Sequence, residues 1–111
     1  MTSPSLGSLE LAALLAVSRL GDEAYGLAVR EELARQRGRD YSVGAVYTTL
    51  QRLHDKGLLS ARSSEPIPVR GGRSRRQFRL TGAGARAVAN AKRQAESMWP
   101  GIGTVSRPEP A

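Results

Sequence analysis

Between Arg62 and Arg79 the chain places six arginines, Arg62, Arg70, Arg73, Arg75, Arg76 and Arg79, against one acid, Glu65, a local charge of +5 within a total of +7. A guanidinium is a planar fork of donors, weakly hydrated for a cation, and it fits the oxygens of a phosphate better than an ammonium does. Phosphate is therefore the partner this segment suits. An Arg-rich solvated loop is the alternative, and the surrounding elements must decide. Elsewhere the charge is nearly balanced: residues 1–61 hold seven basic and seven acidic side chains, and the segment from Leu80 adds four basic and two acidic ones.

Little else in the sequence could do chemistry. One histidine and no cysteine among 111 residues exclude disulfides, thiolate zinc sites and cysteine nucleophiles. His54 beside Asp55 falls short of a metal-ligand set and is read as structural or surface. Glu31 and Glu32 are adjacent, so on a helix they diverge by about 100° and cannot address one substrate together. No Walker or dinucleotide motif occurs, and Gly82-Ala83-Gly84 reads as a helix start. The expectation is a protein that is not an enzyme and carries no metal or cofactor.

The length suits one small domain, which a second copy could complete. Hydrophobic residues at 40% and charged residues at 24% indicate a folded rather than a disordered chain. No run approaches the roughly 18 apolar residues that span a membrane. The apolar stretch Leu9 to Val17 is interrupted by Glu10 and lacks the flanks of a signal peptide, so a soluble cytoplasmic protein is expected.

The elements that must position the arginines follow from periodicity. Leu6, Leu9, Ala13, Leu14, Ala16, Val17 and Leu20 recur every three or four residues and predict helix one over 6–20. Gly21 supplies a stop and Asp22 a cap for helix two, expected from about Glu23 to Gln36, burying Tyr25, Val29 and Leu33 and ending near Gly38. Gly26 inside it costs about 1 kcal/mol relative to alanine and suggests the close approach of another backbone. Helix three follows a cap at Asp40 or Ser42 and ends at Gly57. Val46, Leu50 and Leu53 form its core stripe with Val43 and His54 at one edge, while Gly44, Ala45, Thr48, Gln51, Arg52 and Asp55 face away and Tyr47 lies at the boundary. A face that opens with small residues and continues to Gln and Arg can enter a DNA major groove. Period-2 patterning predicts strands over 59–63 and 77–80, the second with Phe78 and Leu80 on one side and Arg79 on the other. The long arginine-bearing connection Ser64 to Arg76 lies between them. Thr81 can cap a fourth helix over 82–99 that Pro100 ends, and residues 1–5 and 100–111 are expected to be disordered.

Three stretches make this order specific. They are Gly21-Asp22-Glu23-Ala24-Tyr25-Gly26; Gly44-Ala45-Val46-Tyr47-Thr48-Thr49-Leu50-Gln51-Arg52-Leu53 with Lys56-Gly57-Leu58; and Gly71-Gly72-Arg73-Ser74-Arg75-Arg76 leading into Phe78-Arg79-Leu80-Thr81 and Gly84. From about Leu9 to Trp99 the chain resembles a PadR-type transcriptional regulator of the short branch. The resemblance implies a mainly α fold with a small β-hairpin, a winged helix-turn-helix over 6–80 and a C-terminal dimerisation helix over 81–99. It implies a homodimeric bacterial repressor that reads a palindromic operator in double-stranded DNA. Tyr47, Thr48 and Arg52 fall on the family's helix-three motif, and Arg73, Arg75 and Arg76 on its wing. Ser42, Ala45 and Gln51, at the start or on the exposed side of helix three, complete the expected DNA-contacting set. Where the family often has two adjacent aromatics in the second wing strand, this chain has Gln77-Phe78.

In helix four, Ala85, Val88, Ala91, Ala95 and Met98 lie near one stripe, expected to meet Leu9 and Leu14 of a partner's helix one, with Trp99 at the same dimer interface, the alternative being a helix folded back on its own domain. Trp99 either clamps the helix end against the partner's core and leaves no cavity or lines a cavity that admits a flat hydrophobic effector, and the tryptophan of short relatives comes about one helical turn earlier. Two other readings compete with DNA binding. Arg70-Gly71-Gly72-Arg73 resembles the RGG segments that bind single-stranded RNA, but the chain has few aromatic platforms for stacked bases. A winged helix that binds only protein is the other, and the basic wing argues against it.

Overall fold

The computed structural model describes residues 6–63 and 76–98. Helix α1 spans Ser8–Leu20, a short 3-10 turn covers Gly21–Glu23, and α2 (Gly26–Arg37) and α3 (Val43–Asp55) follow. Strands β1 (Leu59–Ser63) and β2 (Arg76–Leu80) pair antiparallel, Leu59 opposite Leu80 and Ser63 opposite Arg76, and α4 spans Gly82–Met98. The core gathers Leu14 and Val17 of α1, Val29 and Leu33 of α2, Val46, Leu50 and Leu53 of α3, and Leu58 and Phe78 at the base of the hairpin. This is the expected winged helix: three helices around one apolar centre, a hairpin on its edge and a helix leading away.

The helix ends show why the chain breaks where it does. Gly38 terminates α2 in the left-handed region at φ 68°, its amide donating to the Ala34 carbonyl at 2.9 Å. Ser42, rather than Asp40, caps α3, its Oγ accepting from the Ala45 amide at 3.1 Å. Thr81 caps α4 by accepting from the Gly84 amide at 3.0 Å, and its hydroxyl donates to the Gly57 carbonyl at 2.7 Å. That one side chain ties the start of α4 to the turn after α3.

Several expectations need correction. Helix α2 begins at Gly26, not Glu23, because residues 24 and 25 pair with the wing instead. The Phe78 amide donates to the Ala24 carbonyl at 2.9 Å, and Tyr25, in extended backbone, bridges Gln77. Asp22 does not cap that helix; its carboxylate accepts from Arg79 Nη2 at 2.7 Å. The alternation of β2 fails at Gln77, which is buried alongside Phe78, because its side-chain amide donates to the Asp22 carbonyl at 2.6 Å. Val43 is not an edge of the core stripe but 42% exposed, since the first turn of α3 overhangs the core.

Glycines 26 and 84 set how closely two helices dock. A Cβ at Gly26 would overlap the Tyr47 ring and hydroxyl, so the close neighbour expected there is a side chain of α3 and not a backbone. At Gly84 it is a backbone: a Cβ would overlap the Leu58 carbonyl oxygen. Helix α4 thus sits on its own domain through its first half, with Ala83, Ala87 and Val88 against the core, while Ala91 and Ala95 are half-buried and Met98 is 71% exposed.

Candidate nucleic-acid interface

Helix α3 presents Gly44, Thr48, Gln51, Arg52 and Asp55 to the outside, opposite the buried Val46, Leu50 and Leu53. Ser42 and Ala45 lie at its start, where they hold the helix itself. The Ser42 hydroxyl caps it, and the Ala45 carbonyl accepts from the buried Thr49 hydroxyl at 2.8 Å. Tyr47 is half-buried with its ring against Gly26, so it spaces α3 from α2 rather than standing out from the helix with Thr48 and Arg52.

The wing and α3 meet through Gln51. Its Nε2 donates to Asp55 Oδ1 at 3.0 Å, and its Oε1 faces Arg76 Nη1 at 3.4 Å, while the Arg76 guanidinium lies 5.4 Å from the centroid of Phe78. The root of the wing is thereby brought beside the middle of α3's exposed face. Arg73 and Arg75 lie outside the described residues.

Ion pairing sorts the remaining arginines. Arg19 and Arg35 pair with the buried Glu32, at 3.8 and 3.2 Å, and Arg79 pairs with Asp22 at 2.7 Å. Arg37, Arg39, Arg52, Arg62 and Arg76, all exposed, pair with no carboxylate among the described residues. These five belong to α3, the hairpin and the end of α2 with the turn that enters α3, and the exposed Arg86 and Arg93 of α4 likewise pair with no carboxylate among the described residues. The group of Arg37 and Arg39 around Tyr41 is not apparent from a segment count: Glu31, Glu32 and Asp40 cancel Arg30, Arg35 and Arg39 in the sum, and only ion-pair geometry separates neutralised arginines from the others.

At the far end of α3, Lys56 Nζ donates to Glu10 Oε2 at 2.6 Å, and the Gly7 amide donates to Glu10 Oε1 at 3.2 Å. The hydrogen bond from Lys56 holds the Glu10 carboxyl below its usual value of 4.5, helped by Gly7 and the positive charge of Arg52 and opposed by partial burial. This pair fastens the start of α1 to the end of α3.

Of the residues expected at a dimer interface, Leu14 is corrected outright. It is fully enclosed by its own chain, because α1 turns that position inward onto α3, and it cannot meet a partner. Leu9 is half-buried, Val88 packs partly on its own core, Ala91, Ala95 and Met98 retain exposed surface, and Trp99 lies outside the described residues.

Comparison with known proteins sharpens this picture. Residues 14–90 match the transcriptional regulator PadR-like family. RosR of H. salinarum is 28% identical with a TM-score of 0.68, the alignment covering 90% of this chain and 83% of that one. A PadR family transcriptional regulator from Eggerthella lenta is 29% identical with a TM-score of 0.62, over 86% and 84% of the two chains. F93 from STIV, a winged-helix DNA-binding protein, is 15% identical with a TM-score of 0.66 over 88% and 98%, a likeness of fold alone. No curated protein sequence matches the chain.

Proposed function

The chain belongs to the PadR-like family of transcriptional regulators, and from that premise we propose that it is a repressor that binds a palindromic operator as a homodimer. It is a regulator of transcription and not an enzyme. The observation that carries the operator reading is the exposed face of α3, with Thr48, Gln51 and Arg52 beside Arg76 at the root of the wing. Thr48 and Gln51 would reach base edges, Arg52 a base or phosphate, and Arg73, Arg75 and Arg76 the flanking backbone. The second half of α4, with Ala91, Ala95 and Met98, would join two copies through an isologous contact that includes Leu9 and spaces the two α3 helices one DNA turn apart. Trp99, the next residue after Met98, is assigned to the same contact by its sequence position. Quenching of its fluorescence by a planar aromatic ligand, with a change in operator affinity, would add an effector to this reading. Chromosomal DNA places the protein at work in the cytoplasm.

A mobility-shift competition tests the proposal. The duplex upstream of the protein's own and neighbouring genes should be shifted at lower protein concentration than random duplex, and both before single-stranded RNA. Equal binding to RNA and duplex would transfer the wing to RNA recognition, and binding to neither would leave a protein-binding module.

A further inference from the structure

The turn between α2 and α3 gathers three guanidinium groups on one tyrosine. Arg30 donates its Nε–H to the Tyr41 carbonyl at 2.6 Å, Arg37 donates its Nε–H to the Tyr41 hydroxyl at 2.5 Å, and the Arg39 guanidinium lies 4.9 Å from the centroid of the ring. Tyr41 is buried, whereas Arg37 and Arg39 are exposed. Three cations around one side chain repel one another, and a ring face offsets only part of that cost. Elsewhere in the fold Arg19 and Arg35 share the one carboxylate of Glu32, and Arg79 pairs with Asp22. Here no carboxylate among the described residues pairs with the cluster, and the exposed Asp40, beside Arg39 in the chain, pairs with neither exposed arginine. Arg37 engages the tyrosine through Nε alone, which leaves its terminal nitrogens for an outside acceptor; that fork is what a phosphate takes.

The position is as informative as the charge. Tyr41 immediately precedes the Ser42 cap of α3, whereas Arg76 meets α3 at Gln51, nine residues on and roughly 14 Å along the axis at 1.5 Å per residue. A major groove is about 12 Å wide and is bounded on both sides by phosphates. We infer that Arg37 and Arg39 form a second backbone-binding site, taking DNA phosphates on the side of the groove opposite the wing, with Tyr41 holding both guanidinium groups. This rests on the DNA-binding reading above and extends it from a one-sided to a two-sided grip. Arg30 already donates to the Tyr41 carbonyl, a contact that binding need not form.

The test is the salt dependence of binding to random-sequence duplex, which needs no knowledge of the operator. In the full chain, R39A should lower the slope of log K against log salt by about 0.9, and R37A/R39A by about twice that. The loss should be equal on operator and random duplex, and Lys at both positions should restore the slope because it restores the charge. An unchanged slope in R37A/R39A, with wild type binding duplex normally, would refute the second site and leave the DNA reading standing. Absence of duplex binding by wild type would overturn both. Arg37 braces the turn, so if the double variant unfolds, R39A alone decides: it removes only a ring contact, and an unchanged slope in it refutes the site equally.

Discussion

Helices α3 and α4 are docked on the same core by a glycine contact each, yet their outward faces differ in kind. Helix α3 buries a full apolar stripe and turns out Thr48, Gln51 and Arg52; α4 buries only its first turns and then offers Ala91, Ala95 and Met98, the last 71% exposed. A polar face that carries an exposed guanidinium suits a partner rich in acceptors, whereas an apolar face of small residues is stabilised by closing against another apolar surface. On the function proposed above the two helices would separate two tasks, recognition on one and assembly on the other, and each could be broken without the other.

The largest effect is expected at α4. Replacing Ala91 and Ala95 with Arg should convert the dimer to monomer in sedimentation and reduce operator affinity by about two to four orders of magnitude, because the second half-site loses its effective concentration. Random-duplex binding per monomer should fall far less. On α3, Thr48→Ala or Gln51→Ala should leave the dimer intact and change base preference at one operator position by about 1 to 3 kcal/mol, read from affinities across single-base operator variants. Should an α3 variant lose the dimer, or an α4 variant alter base preference, the division of labour is wrong.

The glycines sharpen the comparison at the level of stability. Gly84 faces a carbonyl that belongs to the backbone between α3 and β1, while Gly26 faces a ring that can turn on its own bonds. Gly84→Ala should therefore destabilise the fold by about 1 to 3 kcal/mol in chemical denaturation despite alanine's better helix propensity. Gly26→Ala should cost less, and pairing it with Tyr47→Leu should recover part of the loss.

Much of this was legible in the sequence because it depends on local rules. The stripe Val46, Leu50 and Leu53, the stop near Gly38, a cap at Asp40 or Ser42 and the cap at Thr81 each need only residues within a few positions. What was not legible depends on partners distant in the chain. Asp22 looks like a cap until β2, more than fifty residues on, brings Arg79 to it and draws Ala24 and Tyr25 into strand pairing. Gln77 reads as a missing aromatic, yet its amide is buried because the Asp22 carbonyl needs a donor there. Leu14 and Leu9 share one periodic stripe, and only the crossing of α1 over α3 decides that the first is sealed inside. At the candidate interface, charge counting points to the wing but averages away the arginines around Tyr41, since net charge does not record which cations already have partners.

The smallest expected effect lies where α1 is fastened to α3. Glu10 is 16% exposed and accepts from Lys56, so its folded-state pKa is depressed below 4.5, mainly by that hydrogen bond. For a carboxyl depressed in the folded state, the stabilisation is complete above the unfolded value and is lost as pH falls through the folded one. Glu10→Gln should therefore cost about 1 kcal/mol or less at neutral pH, as a partly exposed ion pair does. The difference from wild type should shrink in acid and vanish below the folded pKa, where wild type has also lost its charge. High salt should diminish it at neutral pH. Because this pair grips the base of α3 and not its outward face, the variant should leave base preference untouched. A change in base preference, or a stability difference that grows in acid, would show that the start of α1 helps to shape the recognition surface, and the boundary between the face that reads and the frame that holds it would have to move.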